Sequence, residues 1–183
     1  MPQTAQKTLN PDLLAAMRRH GALVAADGDV PASIVDNRLQ QDRLAPHWAE
    51  GAPDMAQTHD LTVPGPRGAR AARLYRPHRA ESGAVILFLH GGGWARGTIA
   101  TGEWPCRALA AESRLAVLSL AYSLAPEHPF PAGLDDVVAA IDWLAATPAR
   151  RSRSGSASST ATTWRPTATA TTAPANTACP TPA

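Results

Sequence analysis

The fold is decided by one continuous stretch of the chain, Ala84-Val85-Ile86-Leu87-Phe88-Leu89-His90-Gly91-Gly92-Gly93-Trp94. Its first six residues are all apolar, which is typical of a parallel strand that other elements cover on both faces. Three glycines follow almost at once, and glycine lets the backbone turn sharply and approach a ligand closely. The stretch therefore predicts a buried strand that ends in a loop able to present backbone N–H donors.

The residues downstream of this stretch predict an alternation of strands and helices. A second apolar run at residues 115–120 predicts another buried strand, and residues 104–113 between the two runs predict a crossover helix. Apolar residues then recur at helical spacing, at Leu134, Val137, Val138, Ile141 and Leu144. This order favours an α/β fold with a mostly parallel sheet in which both apolar strands lie centrally.

The residues upstream predict a hairpin and two short helices. Residues 59–76 form two strand-like runs around a Pro- and Gly-rich turn, which is typical of an antiparallel hairpin at one side of the sheet. Asn10 and Pro11 form a strong helix start, and Gly21 is a typical stop, so a helix is expected over residues 11–20. A second helix is expected over residues 32–44.

Composition excludes several classes of protein. The chain has 183 residues, 44% of them hydrophobic, and a formal net charge of only +2, which is typical of one ordinary domain without a polyanionic partner such as nucleic acid. Cys106 and Cys179 have neither metal-ligand nor disulfide-framework spacing, so both are interpreted as free thiols, and no metal or other cofactor is implied. The longest apolar run is too short to span a bilayer and the first residues are polar, so a cytoplasmic location is expected.

The glycine run has more than one chemical interpretation. It could be a flexible loop, a phosphate-binding loop or an oxyanion hole, because each uses closely approaching backbone amides. No Gly-Lys-Ser/Thr sequence follows it, and Arg96 stands where a G-x-G-x-x-G fingerprint beginning at Gly91 would need a third glycine. The pattern therefore favours an oxyanion hole.

A second motif runs from the next strand into a helix, Tyr122-Ser123-Leu124-Ala125-Pro126-Glu127-His128-Pro129-Phe130-Pro131-Ala132-Gly133-Leu134-Asp135-Asp136. Three prolines indicate a fixed, extended loop. Asp135 and Asp136 suit the first turn of the following helix, where carboxylates interact well with the helix dipole. His128 is interpreted as a loop residue rather than a general base.

Together these two motifs strongly resemble those of bacterial esterases of the hormone-sensitive lipase family, over residues 9 to about 150. The resemblance implies an α/β-hydrolase fold with N-terminal cap helices and a small-molecule ester as substrate. It implies that the amides of Gly92 and Gly93 form the oxyanion hole and that His90, Gly91 and Trp94 complete that loop. It also implies that Tyr122, Asp135 and Asp136 support the architecture around the site without taking part in bond chemistry.

The chain departs from this family after residue 150. The family continues with a strand and a nucleophile elbow, usually Gly-Asp-Ser-Ala-Gly, and then an acid and a histidine. Here the nearest serines are Ser156 and Ser158, neither of which is flanked by glycine on both sides, while Asp142 is the last acidic residue and His128 the last histidine. No catalytic triad can therefore be assigned, and Ser156 is only a weak candidate nucleophile.

Composition also changes abruptly at this point. Residues 151–183 consist mostly of Ser, Thr, Ala and Pro, with Trp164 the one large apolar residue. Such a segment cannot build a core and is expected to be disordered or encoded out of frame. The expected organisation is a cap over residues 1–58, the first part of the hydrolase core over residues 59–150, and a low-complexity tail over residues 151–183.

Two functional hypotheses remain open from the sequence. The first is a carboxylic ester hydrolase that acts by serine acylation. The second is a catalytically inactive truncated product, or a non-catalytic ligand-binding derivative of the same fold.

We predict a change of reading frame near codon 150, because Ser, Thr, Ala, Pro and Arg are what GC-rich codons yield when read out of frame. Another frame beyond that codon should encode a glycine-flanked serine, followed by an acid and a histidine. Sequencing of the coding DNA checks this. If neither other frame contains these three residues in that order, the prediction is wrong.

Overall fold

A computed structural model describes residues 9–28, 30–81 and 83–147 of the chain. Two N-terminal helices, α1 (Pro11–Asp27) and α2 (Ile34–Ala49), precede the hairpin of β1 (Gln57–Val63) and β2 (Arg70–Arg76). The alternating part follows, with its elements in the order β3 (Val85–Leu89), a 3₁₀ turn (Ala100–Gly102), α3 (Glu103–Ser113), β4 (Ala116–Leu120) and α4 (Ala132–Ala146). The predicted elements are thus all present, and the expected tail and Cys179 lie outside the described residues.

The sheet of the described residues is mixed, with the strand order β1-β2-β4-β3. β1 pairs with β2 and β2 with β4 in antiparallel fashion, whereas β3 and β4 are parallel. The expected central position holds for β4. It is wrong for β3 within the described sheet, because no described strand pairs with its outer side and its residues stay partly exposed.

Side chains pack on both faces of the sheet. On one face Leu118 and Leu120 of β4 pack with α4 through Val137 and Ala140. On the other face Val117 packs with α3 through Cys106 and Ala110. Since neighbouring residues of a strand point to opposite faces, β4 is covered on both sides, as its continuous apolar run predicts.

Both N-terminal helices extend further than predicted. α1 continues through Gly21 to Asp27, and Gly28, with a φ of 76°, ends it instead. Good helix formers follow Gly21, so the chain accepts the cost of one interior glycine, about 1 kcal/mol relative to alanine. α2 continues past Pro46 to Ala49 rather than ending at residue 44.

None of the described helices has the length and apolar character that crossing a bilayer requires. The predicted domain boundaries at residues 58 and 150 stay predictions.

Alanine should have opposite effects at the glycine inside α1, Gly21, and at the glycine that ends this helix, Gly28. A β-carbon at Gly21 meets no atom within 4 Å, so Gly21→Ala should stabilise the helix by about 1 kcal/mol. Gly28 also has open space, but its positive φ makes Gly28→Ala destabilising by about 1 kcal/mol. Helical circular dichroism during thermal unfolding measures both. Effects of the same sign would contradict this account of where α1 ends.

Candidate active site

The glycine loop, residues 90–97, leaves the end of β3 and turns back on itself. The carbonyl oxygen of Gly92 accepts hydrogen bonds from the amides of Ala95 at 3.3 Å and Arg96 at 3.0 Å. Gly92, Gly93 and Gly97 all have positive φ, and Trp94 shares this conformation with a φ of 62°. The loop therefore has a backbone path that is open mainly to glycine.

Two of these glycines are required by space as well as by φ. A β-carbon at Gly92 would lie 2.2 Å from the carbonyl oxygen of Arg96. One at Gly97 would lie 2.2 Å from the carbonyl oxygen of Gly91 and 2.4 Å from Nδ1 of His90. The sequence pattern did not single out Gly97, because this residue lies outside the run of three glycines at residues 91–93.

The amides of Gly92 and Gly93 point to the chemistry of the loop. Among the residues that the structure describes, neither amide donates a hydrogen bond to a carbonyl or a side chain. Gly93 is exposed, and Gly92 is partly exposed. Unbonded N–H groups on a rigid loop can bind an oxygen that carries developing negative charge.

Tyr122 fastens the start of the loop to the end of β4. Its hydroxyl donates a 2.7 Å hydrogen bond to the carbonyl oxygen of His90, and its ring stacks on the imidazole at 4.5 Å. Trp94 packs edge-on against the same ring at 5.3 Å. The Tyr122 ring thus contacts both residues that flank the glycine run, His90 before it and Trp94 after it.

Burial sets the protonation of this aromatic pair. It lowers the pKa of His90, so the imidazole is neutral at neutral pH, and it raises the pKa of Tyr122, which keeps the hydroxyl as a donor. Nδ1 of His90 lies 3.1 Å from the carbonyl oxygen of Gly91, which can only accept a hydrogen bond. His90 therefore lies in the loop as a neutral, internally bonded ring.

Asp136 fastens the second motif. Its carboxylate is buried and accepts a 2.8 Å hydrogen bond from the amide of Ser123, and Arg67 and Arg70 lie 3.8 Å and 3.9 Å away. The prediction of a helix-dipole role for Asp136 is therefore replaced by a specific contact with the preceding loop. Asp135 does lie in the first turn of α4, where it pairs with Arg67 at 3.1 Å.

The loop of the second motif packs directly on the glycine loop. The amide of Ala125 donates a 2.9 Å hydrogen bond to the carbonyl oxygen of Trp94. A β-carbon at Gly133 would lie 2.7 Å from the carbonyl oxygen of Ser123 and 3.3 Å from the Trp94 ring. The two motifs of the sequence thus form one structural unit.

The remaining candidates contribute less to this unit. His128 is exposed, and its amide donates to the carbonyl oxygen of Leu124. Cys106 is a buried free cysteine, and burial raises the pKa of its thiol to about 12, so it packs as a core residue. Ser156 lies outside the described residues. Among those residues, no group of three or more His, Cys, Asp or Glu side chains could hold a metal ion.

A strand that ends in a glycine loop, beside a parallel strand whose following loop packs on it, is typical of α/β proteins, and the comparisons with known proteins identify the fold as that of an α/β hydrolase. A family model for the alpha/beta hydrolase fold matches residues 86–163, of which residues 148–163 lie outside the described part. Solved esterases give the same assignment. A hyperthermophilic esterase from the archaeon Pyrobaculum calidifontis matches at 31% identity with a TM-score of 0.63, over 75% of this chain and 42% of that chain.

Two further relatives are also ester hydrolases, and the name of one gives a more particular type. An esterase from the bacterial hormone-sensitive lipase family matches at 31% identity with a TM-score of 0.60, over 76% of this chain and 44% of that chain. The carboxylic ester hydrolase LipN of Mycobacterium tuberculosis is 37% identical over 120 residues, which are 66% of this chain and 31% of that relative. The chain has an α/β-hydrolase fold and is similar to esterases of the hormone-sensitive lipase type, and it spans less than half the length of these relatives.

Gly97→Ala should destabilise the fold more than Gly68→Ala. Both glycines have positive φ, so both variants meet the left-handed penalty of about 1–2 kcal/mol. Only Gly97 adds a clash with backbone, for which a further cost of about 1–3 kcal/mol is expected, because a β-carbon at Gly68 meets nothing within 4 Å. Urea unfolding of the two variants measures the difference. Equal losses of unfolding free energy would show that the loop can relax around residue 97.

Proposed function

We propose that this protein is a carboxylic ester hydrolase that works by serine acylation, with the amides of Gly92 and Gly93 as its oxyanion hole. The observation that carries the proposal is that these two amides, at the end of β3, have no acceptor within the described part of the chain. The names of the relatives, a carboxylic ester hydrolase and two esterases, support the same reaction class.

Attack by a serine on an ester carbonyl turns the carbonyl oxygen into an oxyanion. Donors already fixed toward that position stabilise the charge without reorganising, and one such donor is worth about 10²–10³ in rate. The glycine loop meets this requirement, since Tyr122, Ala125 and its own internal hydrogen bonds hold it in place. In this proposal Gly92 and Gly93 bind the oxyanion, while His90, Gly91 and Trp94 shape the loop.

The substrate in this proposal is a small, uncharged carboxylic ester. Half-exposed Trp94 provides an apolar surface directly after the two amides, which suits an acyl or alcohol group better than a charged one. Tyr122 packs against Trp94 and Asp136 holds the loop at Ser123, and in this proposal neither touches the reacting atoms.

The resemblance places the nucleophile, acid and histidine of such an enzyme after residue 147, where this chain has serines but neither an acidic residue nor a histidine. Among the residues present there, Ser156 remains the weak candidate named above. The 183-residue chain is therefore expected to turn over little ester, and a version with the restored frame is expected to be active. A ligand-binding protein that has lost catalysis is the competing function.

A chimera tests the proposed reaction. It would keep residues 1–147 of this chain and continue with the matching C-terminal part of the Mycobacterium tuberculosis relative, which supplies a complete hydrolase length. We expect it to hydrolyse short p-nitrophenyl esters. Gly92→Ala should lower its kcat by about 10²-fold or more, since the new β-carbon would displace an oxyanion donor.

The control is Gly83→Ala, which also has positive φ but open space around its β-carbon and lies before β3. This variant should leave turnover unchanged. A folded chimera without turnover, or one that is insensitive to Gly92→Ala, would contradict the proposal. Turnover by the 183-residue chain that Ser156→Ala abolishes would instead assign Ser156 as the nucleophile.

A further inference from the structure

One side chain of α2 reaches both loops of the candidate site. Nε of Arg38 donates a 2.8 Å hydrogen bond to the carbonyl oxygen of Ala95 in the glycine loop. Its Nη2 donates to the carbonyl oxygen of Ala125 in the following loop at 2.5 Å. The Arg38 side chain is only 16% exposed, so these hydrogen bonds are largely shielded from water.

The same guanidinium also forms a forked ion pair with Glu127. Nη1 and Nη2 of Arg38 lie 2.9 Å from Oε1 and Oε2 of the carboxylate. The side-chain hydrogen bonds from Arg38 lower the pKa of Glu127, which keeps the carboxylate ionised. Two parallel N–H···O bonds need the planar geometry of arginine, which lysine cannot reproduce.

A second contact lies one helical turn further along α2. Asp42 accepts a hydrogen bond from the hydroxyl of Thr98, the residue that follows the glycine loop. Residues four apart share one face of a helix, so Arg38 and Asp42 bring the same face of α2 to residues 95–98.

We propose that Arg38 is a positioning residue that holds the glycine loop in the conformation that aims the amides of Gly92 and Gly93. The carbonyl group of Ala95 belongs to the peptide unit whose amide, that of Arg96, bonds to Gly92. Holding this unit from α2 therefore fixes the turn that leaves the two glycine amides unbonded. The inference rests on the proposed function only in what the two amides are said to bind. The effect of Arg38 on the conformation of the loop can be tested without any ester.

Hydrogen–deuterium exchange on the full chain tests the proposal. The amides of Ala95, Arg96 and Ala125 are all hydrogen-bonded within the two loops, and their exchange reports on loop opening. Arg38→Ala should speed their exchange by about tenfold or more, since hydrogen bonds to charged groups are among the stronger ones. Arg38→Lys should not restore slow exchange, because an ammonium group cannot form the fork.

The matched control is Arg19→Ala. Arg19 also donates to one carbonyl oxygen, that of His47, and one carboxylate, that of Glu50, but both lie at the far end of α2. This variant should leave the three loop amides unchanged. Unchanged exchange in Arg38→Ala, or equal acceleration in Arg19→Ala, would overturn the proposal.

Circular dichroism checks that each variant folds. If Arg38→Ala does not fold, Arg38→Lys decides alone, with fast loop exchange in a folded protein as support. Slow exchange in Arg38→Lys, or its failure to fold, would mean that Arg38 holds the fold rather than the loop and would also overturn the proposal. Hydrogen–deuterium exchange requires no ester turnover. The exchange experiment can therefore contradict the role of Arg38 without contradicting the proposed ester hydrolysis, and the ester assay can do the reverse.

Discussion

The described structure depends on one steric constraint, the absence of room for a β-carbon at positions 92 and 97. There the backbone passes so close to itself that the carbonyl oxygens of Arg96 and Gly91 occupy the space of a side chain. This compactness brings the amides of Ala95 and Arg96 onto the carbonyl oxygen of Gly92. It leaves the amides of Gly92 and Gly93 without a partner among the described residues, and these amides are the basis of the proposed chemistry.

The sheet gives this loop a fixed base. β3 and β4 are parallel neighbours, so their carboxyl ends lie side by side and their following loops meet. Tyr122 uses this proximity when its hydroxyl reaches the carbonyl oxygen of His90. The buried carboxylate of Asp136 then holds the start of the second loop through Ser123. A loop built mainly of glycine is thereby ordered by groups outside it.

The elements that place this site could be predicted because their signals are local. The apolar runs around Val85 and Val117 and the helical spacing after Leu134 each reflect burial within a few residues. The end of α1 was mispredicted because glycine often ends a helix but is tolerated inside one when good helix formers follow, as they do after Gly21. The role of Arg38 could not be predicted, because the sequence around an arginine on a polar helix does not indicate partners that lie 57 to 89 residues away.

That separation along the chain has a consequence for biosynthesis. At roughly 5–20 residues per second, Arg38 is added about 4 to 18 seconds before Glu127, the last of its partners along the chain. During this interval Arg38 lacks its ion-pair partner, whereas α1 and α2 can already contact each other through Arg19. The set of contacts that joins α2 to both loops can thus be completed only after β4 and the start of its following loop have been translated.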